Sequence, residues 1–132
     1  MITSNTPAIA TINSLFANNG KIVVAMTVRP QAEAANKAVG NYKSTALVDG
    51  KIVEAERPRT LRMEYTGSDN LQSGQSVALV ISDMKNPSAG SKYADCKGVI
   101  VAAGGQLKDL WTQAEAACAT MPATPADDPA PF

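Results

Sequence analysis

The residue types that carry out most enzyme chemistry are scarce in this chain. It has no histidine and two cysteines, Cys96 and Cys118. The commonest general base and the commonest transition-metal ligand are therefore missing, and two cysteines alone do not make a zinc site. Motifs of the forms GxxxxGK[ST], GxGxxG and GxSxG do not occur. The sequence predicts a protein that is not an enzyme, with no catalytic residues, no metal and no cofactor.

The carboxylates do not change this prediction. The acids that lie close in sequence are the pairs Glu54/Glu56 and Asp127/Asp128. Glu54 and Glu56 are two residues apart, so on a strand they would share one face. We interpret them as an exposed, solvated pair and not as a general acid and base.

The basic side chains suit a different chemistry, because they are concentrated in one half of the chain. Residues 1–62 hold 8 of the 12 Lys and Arg residues and 4 acids, whereas residues 63–132 hold 4 bases and 8 acids. A net charge of zero therefore conceals a basic first half and an acidic second half. This asymmetry favours a protein that meets a polyanion on one side only.

The basic half carries strand and turn signals. Residues 8–16 and 21–29 flank Asn19-Gly20, and Asp49-Gly50 separates two further strand-like runs. Both dipeptides favour the positive φ angles of a type I′ turn, so each predicts a β-hairpin. Residues 59–66 alternate between apolar and polar side chains, and residues 76–83 read as a covered strand. Residues 31–40 fit either a short helix or a loop.

The acidic half changes period. From Tyr93 to Cys118, apolar residues recur at helical spacing, and Ser91 precedes them as a candidate N-cap. A straight helix would hold the two cysteines about 33 Å apart, beyond disulfide reach, so we expect reduced thiols. Residues 122–132 contain four prolines and predict an irregular tail. The apolar content is rich in alanine, and so thin a core favours a partner subunit that covers part of it.

Three stretches resemble the coat proteins of single-stranded RNA bacteriophages of the levivirus type. They are the hairpin at Asn19-Gly20, the loop from Gly67 to Gly74, and residues 95–109 (DCKGVIVAAGGQLKD). Those coat proteins begin with a hairpin, continue through a five-stranded antiparallel sheet and end with helices that lie across a second subunit. The resemblance implies an α+β domain over residues 1–121, with a hairpin at 8–29, a sheet at 42–83 and dimer-packing helices at 92–120, followed by the tail 122–132.

The resemblance also implies a function. The protein would be a structural capsid protein, made in the bacterial host cytoplasm and located in the virion, with no membrane partner. It would assemble as homodimers into an icosahedral shell and bind genomic single-stranded RNA on the inner sheet face. The apolar side chains predicted at the dimer interface are Ile100, Leu107, Leu110 and Trp111. The basic and hydroxyl side chains predicted to contact RNA are Thr27, Arg29, Lys43, Thr45, Lys51, Arg59, Thr60 and Arg62.

Two alternatives stay open. Residues 112–118 resemble the alanine-rich stretch before the last cysteine of some type IV pilins, which would make the chain a pilin-like globular domain lacking its N-terminal helix. That alternative implies a disulfide between the two cysteines. A small barrel that binds single-stranded nucleic acid also suits strands bearing Lys, Arg and Tyr. Three Tyr, two Phe and one Trp argue against the barrel, because they leave few rings for stacking.

Overall fold

The computed structural model describes residues 2–67 and 70–121. Within them lie seven strands and two helices. The predicted tail 122–132 lies outside the described residues. In chain order the elements are β1 (Thr6–Asn18), β2 (Lys21–Val28), α1 (Glu33–Val39), β3 (Asn41–Val48), β4 (Lys51–Pro58), β5 (Thr60–Tyr65), β6 (Ser76–Met84), β7 (Tyr93–Ala103) and α2 (Leu107–Thr120). The class is mixed α+β with a C-terminal helix, as the sequence predicted.

Five of the strands close into a barrel in the order β1-β2-β5-β7-β6, and β6 pairs back onto β1. β1 can belong to both ends of this order because it is long. Its first half pairs with β6 and its second half with β2, and a register shift between Ile12 and Ser14 bends it between the two. The pairing of β5 with β7 is parallel, and the other pairs are antiparallel. The single antiparallel sheet expected over 42–83 is therefore wrong.

The two hairpin predictions are confirmed. Asn19 and Gly20 have φ angles of 54° and 76°, and they connect the paired residues Asn18 and Lys21. Asp49 and Gly50 have φ angles of 52° and 77°. Successive positive φ angles are those of a type I′ turn, which Asn-Gly and Asp-Gly adopt at little cost.

The second hairpin stands apart from the barrel. β3 and β4 form a two-stranded sheet of their own, and their contacts within the described chain are almost all with each other. Every residue of β4 is exposed, and Leu47 and Ile52 near the turn are 74% and 79% exposed. We call the hairpin Asn41–Pro58 the arm.

The helix predicted from residue 92 is wrong over its first half. Residues Tyr93–Ala103 form β7, in which Ala94 and Cys96 are buried while Tyr93 and Asp95 are exposed. This period of two fits a strand. Gly98 secures the pairing with β6, because a Cβ at this position would lie 2.2 Å from the carbonyl oxygen of Val80. Ser91 caps no helix, and its hydroxyl donates to the carbonyl of Tyr93 instead.

Helix α2 covers the barrel of its own chain. It packs against β1, β6 and β7, with Leu110 and Ala114 fully buried. Leu107 and Trp111, together with Ile100 of β7, are partly buried against the same core. The sequence placed these apolar side chains against a partner's sheet, whereas Leu110 is 1% exposed within a single chain and leaves no surface for a partner. The homodimer itself stays a prediction.

Inward-facing side chains of the five barrel strands form the core. The largest that are fully buried include Ile9, Ile12, Met26, Leu61 and Leu79. Helix α1, which the sequence left open between a helix and a loop, adds Ala35 and Val39 to the same core. Neither helix in the described part of the chain is long and apolar enough to cross a membrane.

Candidate nucleic-acid interface

A cleft of about 210 Å³ lies on the outer face of the barrel, across β1, β2, β5 and the start of β7. A single cross-strand row places its centre. Ser14 pairs with Ala25, Ala25 with Arg62, and Arg62 with Asp95. Because Ser14 and Ala25 are small and lie between larger neighbours, the surface is concave there. The lining residues are Asn13, Ser14, Phe16, Ala25, Thr60, Arg62, Lys92 and Tyr93.

Two aromatic side chains line this cleft and stay accessible. Phe16 is 41% exposed and Tyr93 is 38% exposed. Phe16 is on β1, beyond the bend, and Tyr93 begins β7. An exposed aromatic ring leaves apolar surface in contact with water, and such a ring can stack on an unpaired base.

Cations surround Tyr93. The guanidinium carbon of Arg62 lies 4.2 Å from the centroid of the Tyr93 ring, and Lys92 Nζ lies 6.0 Å from it. Both distances are within the range of a cation–π contact. The pairing of Thr60 with Tyr93 and of Arg62 with Asp95 sets this geometry, since residues two apart on a strand share a face. The cleft therefore combines an aromatic ring with two positive charges.

A carboxylate holds Arg62 in its orientation. Arg62 Nε donates to Asp95 Oδ1 over 2.7 Å, and Arg62 Nη2 donates to Asp95 Oδ2 over 3.1 Å. This two-pronged contact fixes the plane of the guanidinium group over the ring. Asp95 is largely exposed, so the same carboxylate would also repel a phosphate that approaches Arg62.

Neutral hydrogen-bonding groups complete the cleft. Asn13, at the bend in β1, donates from Nδ2 to the Thr27 hydroxyl over 2.9 Å. Ser14 and Thr60 add hydroxyl groups to the lining. Hydroxyl and amide groups of this kind donate to phosphate oxygens or base edges. The cleft therefore presents neutral hydrogen-bonding groups beside its aromatic and cationic side chains.

The arm has two faces of different charge. Alternation along each strand and the register between them put Tyr42, Arg57 and Lys51 on one face. The opposite face carries Lys43 and the two acids Glu54 and Glu56. We call the first the basic face and the second the acidic face. Glu54 and Glu56 are exposed on the same face, which confirms the sequence interpretation of a solvated pair.

The arm begins and ends beside the cleft. Its last residue, Pro58, is followed by Arg59 and then Thr60, which lines the cleft. The Thr60 backbone N–H donates to the Lys92 carbonyl oxygen over 3.0 Å. A polymer that lies along the cleft and extends past Lys92 would therefore reach the root of the arm, where Pro58 joins the arm to the barrel.

The structure divides the residues that the sequence predicted to contact RNA. Thr60 and Arg62 line the cleft, and Thr27 adjoins it through Asn13. Lys51 is on the basic face of the arm, whereas Lys43 and Thr45 share the acidic face. Arg29 follows β2 and is half-buried.

The prediction that Arg59 contacts RNA is wrong, because Arg59 is 8% exposed and its guanidinium donates to backbone carbonyls. It cannot contact RNA at the surface. Sequence reasoning also missed Phe16, Lys92 and Tyr93. A strand assignment for residues 93–103 would have put Tyr93 on the same face as Asp95, but the position of Phe16 depends on the bend in β1.

Both cysteines are free, as the sequence predicted, although not for the reason given. They are not on one helix, since Cys96 lies on β7 and Cys118 on α2. Burial, aided by the neighbouring charge of Asp95, raises the pKa of the Cys96 thiol from 9.0 to about 12. The described residues contain no group of three or more His, Cys, Asp or Glu that could hold a metal ion.

No protein-family model matches the chain, and neither the curated proteins nor the solved structures include one that is significantly similar to it.

Proposed function

We propose that this protein binds single-stranded nucleic acid, with unpaired bases stacked in the barrel cleft and the phosphate backbone running from the cleft to the basic face of the arm. The observation that carries the proposal is the pairing of two accessible rings, Phe16 and Tyr93, with the cations Arg62 and Lys92 in one concave surface. Stacking rings beside a cationic groove are the features by which proteins bind single strands without reading their sequence.

The strand order supports the same function. Counted along the barrel alone, the order is first, second, third, fifth and fourth, and the third and fifth strands are parallel. The arrangement resembles the oligonucleotide/oligosaccharide-binding (OB) fold, a five-stranded Greek-key barrel that binds oligonucleotides on its second and third strands and adjoining loops. Here those strands are β2 and β5, which supply Ala25, Thr60 and Arg62. The loop before β7 supplies Lys92.

A single strand suits the cleft better than a duplex does. Base faces in a duplex are covered by stacking on one another, so Phe16 and Tyr93 would have nothing to contact. An unpaired strand exposes each base face, and its phosphates remain accessible to Lys92 and Arg57. The charges of the cleft and the arm do not distinguish RNA from DNA.

The coat-protein function stays a prediction that this geometry does little to support. In that family, helices cover the sheet of a second subunit, whereas α2 covers its own barrel. The pilin-like alternative implies a disulfide, and both cysteines are free. RNA binding, however, is common to the coat-protein prediction and to the present proposal.

The proposal is tested by fluorescence anisotropy with labelled oligonucleotides of about 20 nucleotides. We expect oligo(dT) and oligo(U) to bind at least about ten-fold more tightly than a duplex of equal length. Phe16→Ala and Tyr93→Ala should each raise the Kd for oligo(dT) by about 5-fold to 150-fold, because stacking contributes about 1–3 kcal/mol per base.

The matched control is Val101→Ala. Val101 is on the same strand as Tyr93, is equally exposed at 38%, and lies outside the cleft. Its substitution should leave Kd unchanged. Equal affinity for single strand and duplex, or equal effects of Val101→Ala and Tyr93→Ala, would show that the cleft is not the binding site. The ratio between the oligo(dT) and oligo(U) affinities then distinguishes a DNA ligand from an RNA ligand.

A further inference from the structure

Arg59 is a buried arginine whose partners are all carbonyl oxygens. Its Nε donates to Ser91 O over 2.9 Å, and its Nη1 donates to Val39 O over 3.1 Å. Its Nη2 donates to Ser88 O over 3.0 Å and to Ala89 O over 3.3 Å. A guanidinium group has five N–H donors, so these contacts occupy most of its capacity.

These contacts join three segments that are distant in sequence. Val39 ends α1, and Gly40 alone separates it from the first residue of the arm, Asn41. Ser88, Ala89 and Ser91 belong to the 85–92 loop, which connects β6 to β7 and ends at Lys92. Arg59 itself separates the end of the arm from β5. One side chain therefore fixes both ends of the arm and the loop that carries a cation of the cleft.

The backbone around Arg59 is shaped for this contact. The Arg59 N–H donates to Gly40 O over 3.1 Å, which closes the root of the arm. Gly40 has a φ of 66°, and a Cβ there would lie 3.1 Å from Arg59 Nη1. Glycine thus allows both the left-handed backbone and the close approach of the guanidinium group.

We propose that Arg59 is a positioning residue. It holds the 85–92 loop and the arm in the orientation in which Lys92 and Arg57 contact the same strand of nucleic acid. This inference rests on the proposed function of the cleft and the arm. Arg59 does not contact the ligand, because it is buried and its donors are occupied.

Contacts that depend on Arg59 should lose their effect when Arg59 is replaced. The test is a set of double-mutant cycles, with the Kd for oligo(dT) measured at 0.15 M salt. Arg59→Lys keeps the positive charge, but one ammonium group cannot reach both the Val39 carbonyl and the carbonyls of the 85–92 loop. Lys92→Ala and Arg57→Ala should each raise Kd by about four-fold in the wild-type background, the value of one phosphate contact at this salt concentration. In the Arg59→Lys background we expect less than about two-fold for either substitution.

Phe16→Ala is the control for these cycles. Phe16 is on β1 and does not touch Arg59, the arm or the 85–92 loop in the contacts described, so its effect should be the same in both backgrounds. Thermal unfolding of each variant shows whether it is folded, and Arg59→Met serves as the second variant if Arg59→Lys is not.

Three results would overturn the inference. Additive effects of Arg59→Lys with Lys92→Ala and Arg57→Ala would mean that Arg59 positions neither group. Loss of the Phe16→Ala effect in the Arg59→Lys background would indicate general damage to the barrel. Failure of both Arg59 variants to fold would leave Arg59 a role in stability alone. Failure of the proposed function is distinct, because the wild-type protein would then bind no oligonucleotide.

Discussion

Removing one positive charge from the basic face of the arm should weaken nucleic-acid binding, whereas removing one from the acidic face should not. Lys51 and Arg57 lie on the basic face, with no acid on that face. Lys43 lies on the acidic face, where its directly opposite residue on the neighbouring strand is Glu56. Lys51→Ala, Arg57→Ala and Lys43→Ala remove the same charge from the same hairpin, so any effect of net charge alone is common to all three.

The expected magnitude follows from counterion release. Each contact between a cation and a phosphate of a single strand contributes about 0.7 to the slope of log K against log salt. At 0.15 M salt, the loss of one such contact raises Kd by about four-fold, and the loss of two by about 15-fold. We expect these values for Lys51→Ala, for Arg57→Ala and for the double variant, whose slope should fall by about 1.4. Lys43→Ala should change Kd by less than about two-fold, because Glu54 and Glu56 keep phosphate away from that face.

The measurement is the Kd for oligo(dT) at several KCl concentrations between about 50 and 400 mM, a range over which a phosphate contact gives a measurable slope. All three residues are exposed, so unfolding free energies should change by less than about 0.5 kcal/mol and the fold is preserved in each variant. If Lys43→Ala lowers the affinity and the salt slope as much as Lys51→Ala does, the arm acts through its total charge. The interpretation that only the basic face contacts phosphate is then wrong.

Two further predictions concern neighbouring residues of β7. Asp95→Asn should tighten oligo(dT) binding by about four-fold, because it removes the carboxylate that competes with phosphate for Arg62; weaker binding in the anisotropy assay would mean that Asp95 is needed to orient Arg62. Cys96 should make the protein less stable in alkali. The pKa of its thiol is about 12 in the folded protein and 9.0 when the thiol is exposed, so the thiol of the unfolded chain loses its proton first as the pH rises. The contribution of Cys96 to the free energy of unfolding is therefore complete below pH 9 and is lost as the pH rises toward 12. Between pH 8 and 10 the loss is on the order of 1 kcal/mol. Urea unfolding at both pH values should show this loss in wild type and in Cys118→Ala but not in Cys96→Ala, and an equal loss in all three proteins would count against the burial argument.

The hairpins could be predicted from the sequence because their signals are local. Asn19-Gly20 and Asp49-Gly50 each combine a turn dipeptide with flanking strand residues, and nothing distant is needed to recognise them. The assignment of β7 failed for the opposite reason. Its apolar residues fit helical spacing as well as alternation, and the choice is made by β5 and β6, between which β7 lies.

The candidate site was predictable only in part. Thr60 and Arg62 could be assigned to an outward face because β5 alternates regularly. Phe16 could not, since the bend at Asn13 shifts the register of β1. Arg59 follows a proline and reads as a surface cation, and its burial depends on carbonyl groups 20 to 32 residues away in sequence.

The position of β7 also has a kinetic consequence. β7 lies between β5, with which it pairs in parallel, and β6, which precedes it in the chain. Until residues 93–103 have been synthesised, β5 and β6 each present an unpaired edge, and the barrel cannot close. The contact between β5 and β7 joins residues 33 apart, such as Thr60 and Tyr93, so loop-closure entropy opposes it. We therefore expect folding in milliseconds to seconds, slow for a chain of this size, with barrel closure as the late step.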